Sequence, residues 1–164
     1  CLYIALMIDQ DGGPNVIEFN VRLGDPEAQV TIPLIKTDLG NLLLATAEGR
    51  LAEMEVEFRQ LHAATVVLAS EGYPGDAISG RIVTGWETKI DEGNLQGFTH
   101  LAGAKFDKSD SLLSSGGRVL SATGIAPSLD QALAISYQIM EGIDLEGSHY
   151  RKDIGFRALP PRKS

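Results

Sequence analysis

The chain has 164 residues, 43% of them hydrophobic and 22% charged, a balance of an ordinary globular protein rather than a disordered one. Acids outnumber bases, 22 against 14, for a net charge of −8, which argues against a nucleic-acid-binding protein because no basic stripe is left to follow a phosphate backbone. Its single cysteine, Cys1, cannot form an internal disulfide and favours a reducing, cytoplasmic setting. There is no apolar run of membrane-spanning length, so no membrane is expected as partner. No basic stretch precedes an apolar core at the start, so no signal peptide is read there. The chain opens CLYIALMID, already inside what reads as a strand, so a preceding segment is expected to be missing.

In chain order, CLYIALMID and VIEFNV read as two strands joined by a turn supplied by Gly12, Gly13, Pro14 and Asn15. Beyond Asp25-Pro26 the period changes. Leu34, Ile35, Leu39, Leu42, Leu43 and Ala47 recur at helical spacing, with Pro33 at the start and Gly49 as the stop. Residues 51–62 are charge-rich, and a break between two units is expected within 50–62. AATVVLAS (63–70) predicts a buried strand. RIVTGW (81–86), FTHLAGAKF (98–106) and RVLSATG (118–124) predict three more, separated by turns such as DEGN (91–94) and DKSD (107–110). Residues 128–141 predict the main helix. Ser128 and Gln131 form a capping box, Leu129, Ala132, Leu133, Tyr137 and Met140 an apolar stripe, and Gly142 the end. The expected class is α+β.

The segment VIEFNVRLGDPEAQ (16–29) carries the densest chemistry. Alternate residues of a strand share a face, so Glu18, Asn20 and Arg22 point one way. Ile17, Phe19 and Val21 point the other and are expected to pack a core. Glu18 and Asn20 offer two hard oxygens to one divalent ion; magnesium needs only one or two from the protein. A plain exposed strand face is the commoner explanation of such a pair, which arises often by chance. Arg22 can hold a phosphate or carboxylate through its planar fork. Asp25 reads both as a helix cap ahead of Pro26 and Glu27 and as a ligand group. SSGGRV (114–119) reads as a hairpin turn or as an anion-binding nest, with Arg118 adding charge. YRKDIGFR (150–157) is a basic segment that either solvates the surface or packs on the first unit. His62, His100 and His149 have no zinc spacing and no motif-linked nucleophile.

VIEFNVRLGDPEAQ resembles the signature of the glycinamide ribonucleotide synthetase (phosphoribosylamine–glycine ligase) family, whose pattern is close to EFNxRFGDPExQ. GYPG, SSGGRVL and YRKDIGFRAL are similar to further family segments in the same order, so the resemblance spans essentially the whole chain. It implies the C-terminal end of an ATP-grasp core, antiparallel strands plus helix, over residues 1–58. A small mixed, β-rich C-terminal domain with one main helix would follow over 59–164. It implies an ATP-dependent ligase of purine biosynthesis that joins glycine to 5-phosphoribosylamine through a glycyl phosphate, with Mg²⁺ or Mn²⁺ as cofactor and ATP as co-substrate. The missing N-terminal part of the same enzyme would complete it. By the same resemblance Glu18 and Asn20 are metal ligands, and Arg22 and Asp25 are catalytic and substrate-binding. Gly116, Gly117 and Arg118 lie near the ribose phosphate. Leu23 stands where the family has Phe and Phe156 where it has Trp, both packing changes. The segment around His100 departs from the family's HAGTK, and no role is assigned there. Two rivals stay open: another ATP-grasp carboxylate–amine ligase, and a non-catalytic binding module of the same architecture.

Overall fold

The centre of the molecule is a strand with water on neither face. The structure is a computed structural model that describes residues 1–159; the last five residues of the expected C-terminal domain, 160–164, lie outside them. Strand β8 (Arg118–Ala126) runs through the middle of a four-stranded antiparallel sheet, flanked by β3 (His62–Ala69) and β5 (Leu95–Leu101), with β4 (Ile90–Glu92) at the edge beyond β5. Every residue of β8 after Arg118 is buried.

One face of the sheet is apolar and meets helix α3 (Leu129–Glu141). Ala132, Leu133, Ile135, Ser136, Ile139 and Met140 are buried there, a wider stripe than the expected one, with Leu129 and Tyr137 half-buried at its margins. Each fully buried aliphatic side chain of this layer contributes about 1.5–3 kcal/mol. The helix sits close because glycines lie beneath it. A side chain at Gly97 would meet Ile135 and Ile139, and one at Gly124 would run into the Ala132 carbonyl and Ile135. Ser136 stays satisfied by donating to the Ala64 and Ala132 carbonyls. Ser128 is the residue before the helix, but its hydroxyl meets the Gln131 side chain at 3.1 Å and caps no backbone N–H.

The other face is hydroxyl-rich. Thr65, Thr123 and His100 are linked side chain to side chain across β3, β8 and β5. Over it lies the stretch that the sequence suggested would open one long helix. That expectation is corrected: a short helix α1 (Ala28–Thr31), a 3₁₀ turn (Ile32–Leu34) and an extended link come first, and helix α2 spans Leu39–Ala47. Asp38 starts α2 by accepting the Asn41 N–H at 2.7 Å, so the cap and not the apolar period sets its beginning. Gly49, at φ +71°, ends it as expected, with Gly49 N–H bonding to Thr46 and Arg50 N–H to Ala45. The chain then returns to the same stretch: Arg59 donates to the Pro33 carbonyl and to Gln96 Oε1.

Some strands differ from expectation. Residues 81–86 make only isolated bridges, Ile82 to Leu113 and Thr84 to Asp144. The run 98–106 is cut in two: β5 stops at Leu101 and β6 (Ala104–Phe106) pairs with β7 (Leu112–Ser114) as a separate hairpin. Gly103 makes the break, lying against the Arg118 carbonyl and the Gly116 Cα. The basic segment packs on α3 and not on the first unit. Tyr137 Oη donates to the Arg151 carbonyl and accepts from Ile154 N–H, and Gly155 sits under Leu133. Arg151 spends its charge on Asp153 through two 2.9 Å bonds, which hold the Asp153 carboxyl below its usual range.

Strands β1 (Tyr3–Ile8) and β2 (Pro14–Asn20) pair only with each other. The expected core packing of Ile17, Phe19 and Val21 is corrected, since they are 60%, 65% and 89% exposed. The reason is topological: among the described residues no further strand pairs with the hairpin. No helix among the described residues is long and apolar enough to cross a membrane.

Gly124→Ala is expected to lower stability by about 1–3 kcal/mol, the usual cost of forcing volume into a filled core. Urea denaturation followed by circular dichroism checks this; an unchanged midpoint would contradict the close helix–sheet contact.

Candidate functional site

Strand β2 carries the first half of the site. A bulge opposite Ala5–Leu6 leaves Ile17 as the extra residue, yet Glu18 and Asn20 still share a face: the Asn20 amide donates to Glu18 Oε1 at 3.0 Å. Tyr3 of β1 lies directly across from Asn20. Its phenol is pushed up from its usual pKa, first by a hydrogen bond with Glu27, then by burial and by the negative charges of Glu27 and Glu18, while Arg22 opposes the shift. Arg22 is exposed and donates to the Leu23 carbonyl at 2.9 Å.

Asp25 and Arg118 carry the second half. Arg118 comes from 93 residues away and binds Asp25 twice, Nη1 to the backbone carbonyl at 2.9 Å and Nη2 to the carboxylate at 3.1 Å. Asp25 Oδ1 also accepts from Gln29 Nε2 at 3.0 Å. The cap reading of Asp25 is corrected: its side chain caps nothing, because Arg118 and Gln29 occupy it, and the residue before α1 is Glu27. Gly24 is buried under Glu27, whose carboxylate would strike any side chain at that position.

Gly116 and Gly117 are explained by close packing. A side chain at Gly117 would strike the Tyr73 ring, and Gly116 lies against the Gly103 Cα. Ser70 clamps both, its hydroxyl bonding the Gly116 carbonyl and its N–H the Gly117 carbonyl. Neither glycine has a positive φ, so the turn lacks the αR–αL alternation of an anion nest. What the turn does is aim Arg118 at Asp25.

Between residues 23–33 and β5 runs a groove of about 390 Å³, lined by Leu23, Asp25, Gln29, Pro33, His100 and Leu101 among others. Sequence reasoning left Gln29 and His100 without a role. Neither carries a spacing signal, because the sheet register and the fold of 23–33 bring them together. His100 is held below its usual pKa by burial and stays neutral at pH 7. Its Nδ1 meets Thr123 Oγ1 at 3.3 Å, and Phe98 stands edge-on to its ring.

Among the described residues no group of three or more His, Cys, Asp or Glu is placed to hold a metal. Glu18 and Asn20 lie side by side with the amide nitrogen on the carboxylate; with that amide flipped the pair would offer two hard oxygens, a donor set that fits magnesium, an ion that keeps water and phosphate oxygens for its other positions.

Residues 63–157 match the family model described as phosphoribosylglycinamide synthetase, C domain. The chain belongs to that family. It is 46% identical over 158 residues to a phosphoribosylamine–glycine ligase of Chlorobaculum tepidum, covering 96% of this chain and 36% of that protein. Against a bifunctional purine biosynthetic protein of Dictyostelium discoideum it is 44% identical, covering 96% of this chain and 20% of the relative. The crystal structure of a Thermotoga maritima phosphoribosylamine–glycine ligase superposes with a TM-score of 0.75 at 37% identity, over 93% of this chain and 36% of that one. The biotin carboxylase domain of a Hydrogenobacter thermophilus 2-oxoglutarate carboxylase superposes with a TM-score of 0.58 at 20% identity, over 94% of this chain and 35% of that one, and shows shared fold alone. The α+β architecture at the end of an ATP-grasp core is thus borne out. The chain spans about 36% of the length of the phosphoribosylamine–glycine ligases it matches.

Two outcomes are expected. Arg118→Met should speed amide exchange over 24–31 while β3 and β8 stay protected, with global stability changed by no more than about 1 kcal/mol because the pair is solvent-accessible; equal protection everywhere would contradict the tether. Burial lowers the pKa of His100 in the folded chain, so the unfolded chain binds more protons below about pH 6.5 and stability must fall as pH drops through that value and on to the folded pKa. Urea midpoints at stepped pH should show a shallower acid decline in His100→Asn than in the native sequence.

Proposed function

We propose that this chain is the C-terminal part of a ligase that joins glycine to 5-phosphoribosylamine at the expense of ATP. The observation that carries the reading is the double bond of Arg118 to Asp25, which sets the 116–118 turn beside the signature strand as one edge. The 46% identity to a phosphoribosylamine–glycine ligase supports the choice of substrates over those of other carboxylate–amine ligases. Activity, substrates and cytoplasmic setting are those of the whole polypeptide, to which the chain contributes about the share it covers in its relatives. Residues 1–58 belong to the ATP-grasp core, and residues from 59 onward form the C-terminal domain.

In this reading Glu18 and Asn20 hold Mg²⁺ or Mn²⁺, with the Asn20 amide turned to present its oxygen. The ion, when bound, offsets the repulsion between ATP phosphates and the glycine carboxylate. Arg22, exposed on the same edge, orients phosphate or carboxylate oxygens through its free nitrogens. Asp25 faces the amine of phosphoribosylamine, accepting a hydrogen bond from it as it attacks the glycyl phosphate. Arg118 keeps that carboxylate aimed. Gly116 and Gly117 carry Arg118 and border the sugar phosphate. The apolar face of the β1–β2 hairpin is the surface on which the preceding part of the polypeptide packs.

In the full-length enzyme, Glu18→Ala should cut metal-dependent turnover by more than the roughly 10–100-fold that loss of an outer-shell partner costs. Steady-state ADP release with glycine and phosphoribosylamine measures it; undiminished turnover would remove Glu18 from the metal site. The chain alone should release no ADP in a glycine-dependent way, and glycine-dependent release by residues 1–164 would contradict the assignment of the remaining machinery to the preceding part.

A further inference from the structure

His100 has a lone pair with nowhere in the chain to go. The proton arrangement that satisfies all three contacts has Thr65 Oγ1 donate to the Ala122 carbonyl at 3.3 Å and Thr123 donate to Thr65 at 2.9 Å. Thr123 has then used its only proton and accepts from His100 Nδ1 at 3.3 Å. That arrangement is the Nδ1–H tautomer, with Nε2 as an acceptor. Among the described residues Nε2 has no partner; it is not among the buried unpartnered atoms, and His100 lines the groove.

The rest of the groove matches that chemistry. Asp25 brings a second acceptor. Gln29 is oriented by Asp25, since a carboxylate takes only the amide nitrogen, and its Oε1 is left buried and without a partner in the floor. Leu23, Ile32, Pro33 and Leu101 form apolar walls. Among the described residues no arginine or lysine lines the groove: Arg118 is committed to Asp25, and Arg22 and Arg59 donate to the backbone carbonyls of Leu23 and Pro33. Acceptors on apolar walls call for a neutral ligand that donates hydrogen bonds and has a carbon face; a phosphate in the groove would face the Asp25 carboxylate and the acceptor nitrogen of His100.

We propose that His100 is a substrate-binding residue, with Nε2 accepting a hydrogen bond from a ring hydroxyl of a pentose seated in the groove between residues 23–33 and β5. This deepens the proposed function and rests on it. It assigns the sugar hydroxyls to the groove and keeps the sugar phosphate outside it, toward the 116–118 turn. His100 holds the ring from the sheet side while Asp25 meets the amine at the rim.

The test uses the full-length enzyme and two substitutions that separate the ring nitrogens. His100→Asn keeps a polar group at the Nδ1 position, and with it the Thr123 bond, but removes Nε2. His100→Gln keeps an amide at the Nε2 position. His100→Asn should raise KM for phosphoribosylamine by about 3- to 10-fold, the worth of one neutral hydrogen bond, with KM for glycine and ATP unchanged within a factor of about two. His100→Gln should recover most of the loss. An unchanged KM for phosphoribosylamine in His100→Asn, or an equal rise in all three KM values in both variants, overturns the inference while leaving the proposed function standing. No glycine-dependent turnover in the unaltered enzyme overturns both.

Discussion

Arg118 makes one contact with a carboxylate and one with a backbone carbonyl of the same residue, and the geometry of the site hangs on that pair. As an ion pair it is worth little, because both side chains are solvent-accessible. Its value is positional. A bond to a backbone oxygen fixes where the chain runs, and a bond to the side chain of the same residue fixes which way it faces. Together they attach the exposed loop at 22–27 to the first residue of β8, whose other residues are immobilised by burial. Several glycines serve this end. Gly117 lets Tyr73 close over the turn, and Gly103 and Gly116 let two backbones touch.

The sheet beneath has unlike faces, and the difference divides labour. The side toward α3 is apolar, closely packed and spaced by Gly97 and Gly124. The side toward α1 carries Thr65, Thr123 and His100 in one hydrogen-bonded row. Burying hydroxyls costs stability unless each finds a partner. The row satisfies its members by passing each proton along, and what is left at its end is an acceptor at the groove. The hairpin is the opposite case. Leu6, Met7, Ile8, Ile17 and Phe19 lie open, and a two-stranded ribbon alone is marginal in water. An apolar surface of this kind marks a docking face rather than a finished exterior.

Local signals in the sequence were read well where one residue type dictates one geometry. Gly49 and Gly142 end their helices, and the alternation through Glu18 and Asn20 is real, as their 3.0 Å contact shows. Apolar period misleads where a helix is punctuated by its cap. Leu34 and Ile35 continue an apolar rhythm into α2, but Asp38 caps the helix and overrides it. The three-residue strands β4, β6 and β7 are too short for any pattern to show. At the site, Glu18, Asn20, Arg22 and Asp25 were legible because they share one segment. The tie of Asp25 to Arg118 and the exposure of His100 Nε2 were not, since both arise from register and folding between segments far apart in sequence. Hydrophobicity likewise placed Ile17, Phe19 and Val21 inside: period tells which residues share a face, not whether this chain supplies the cover.

The charge balance resolves in the same local way. With a net charge of −8, the molecule as a whole repels polyanions. Several of its cations are paired with acids: Arg118 with Asp25, Arg81 with Glu71, Lys36 with Glu57, Arg50 with Glu48 and Glu53. Arg22 is different. Its hydrogen bond goes to a neutral carbonyl, and its charge is felt at Tyr3 alongside that of Glu18. This arginine spends a donor but keeps its charge available two residues beyond Asn20, just past the end of β2. A single charge of that kind cannot follow a nucleic-acid backbone, which needs many in a row.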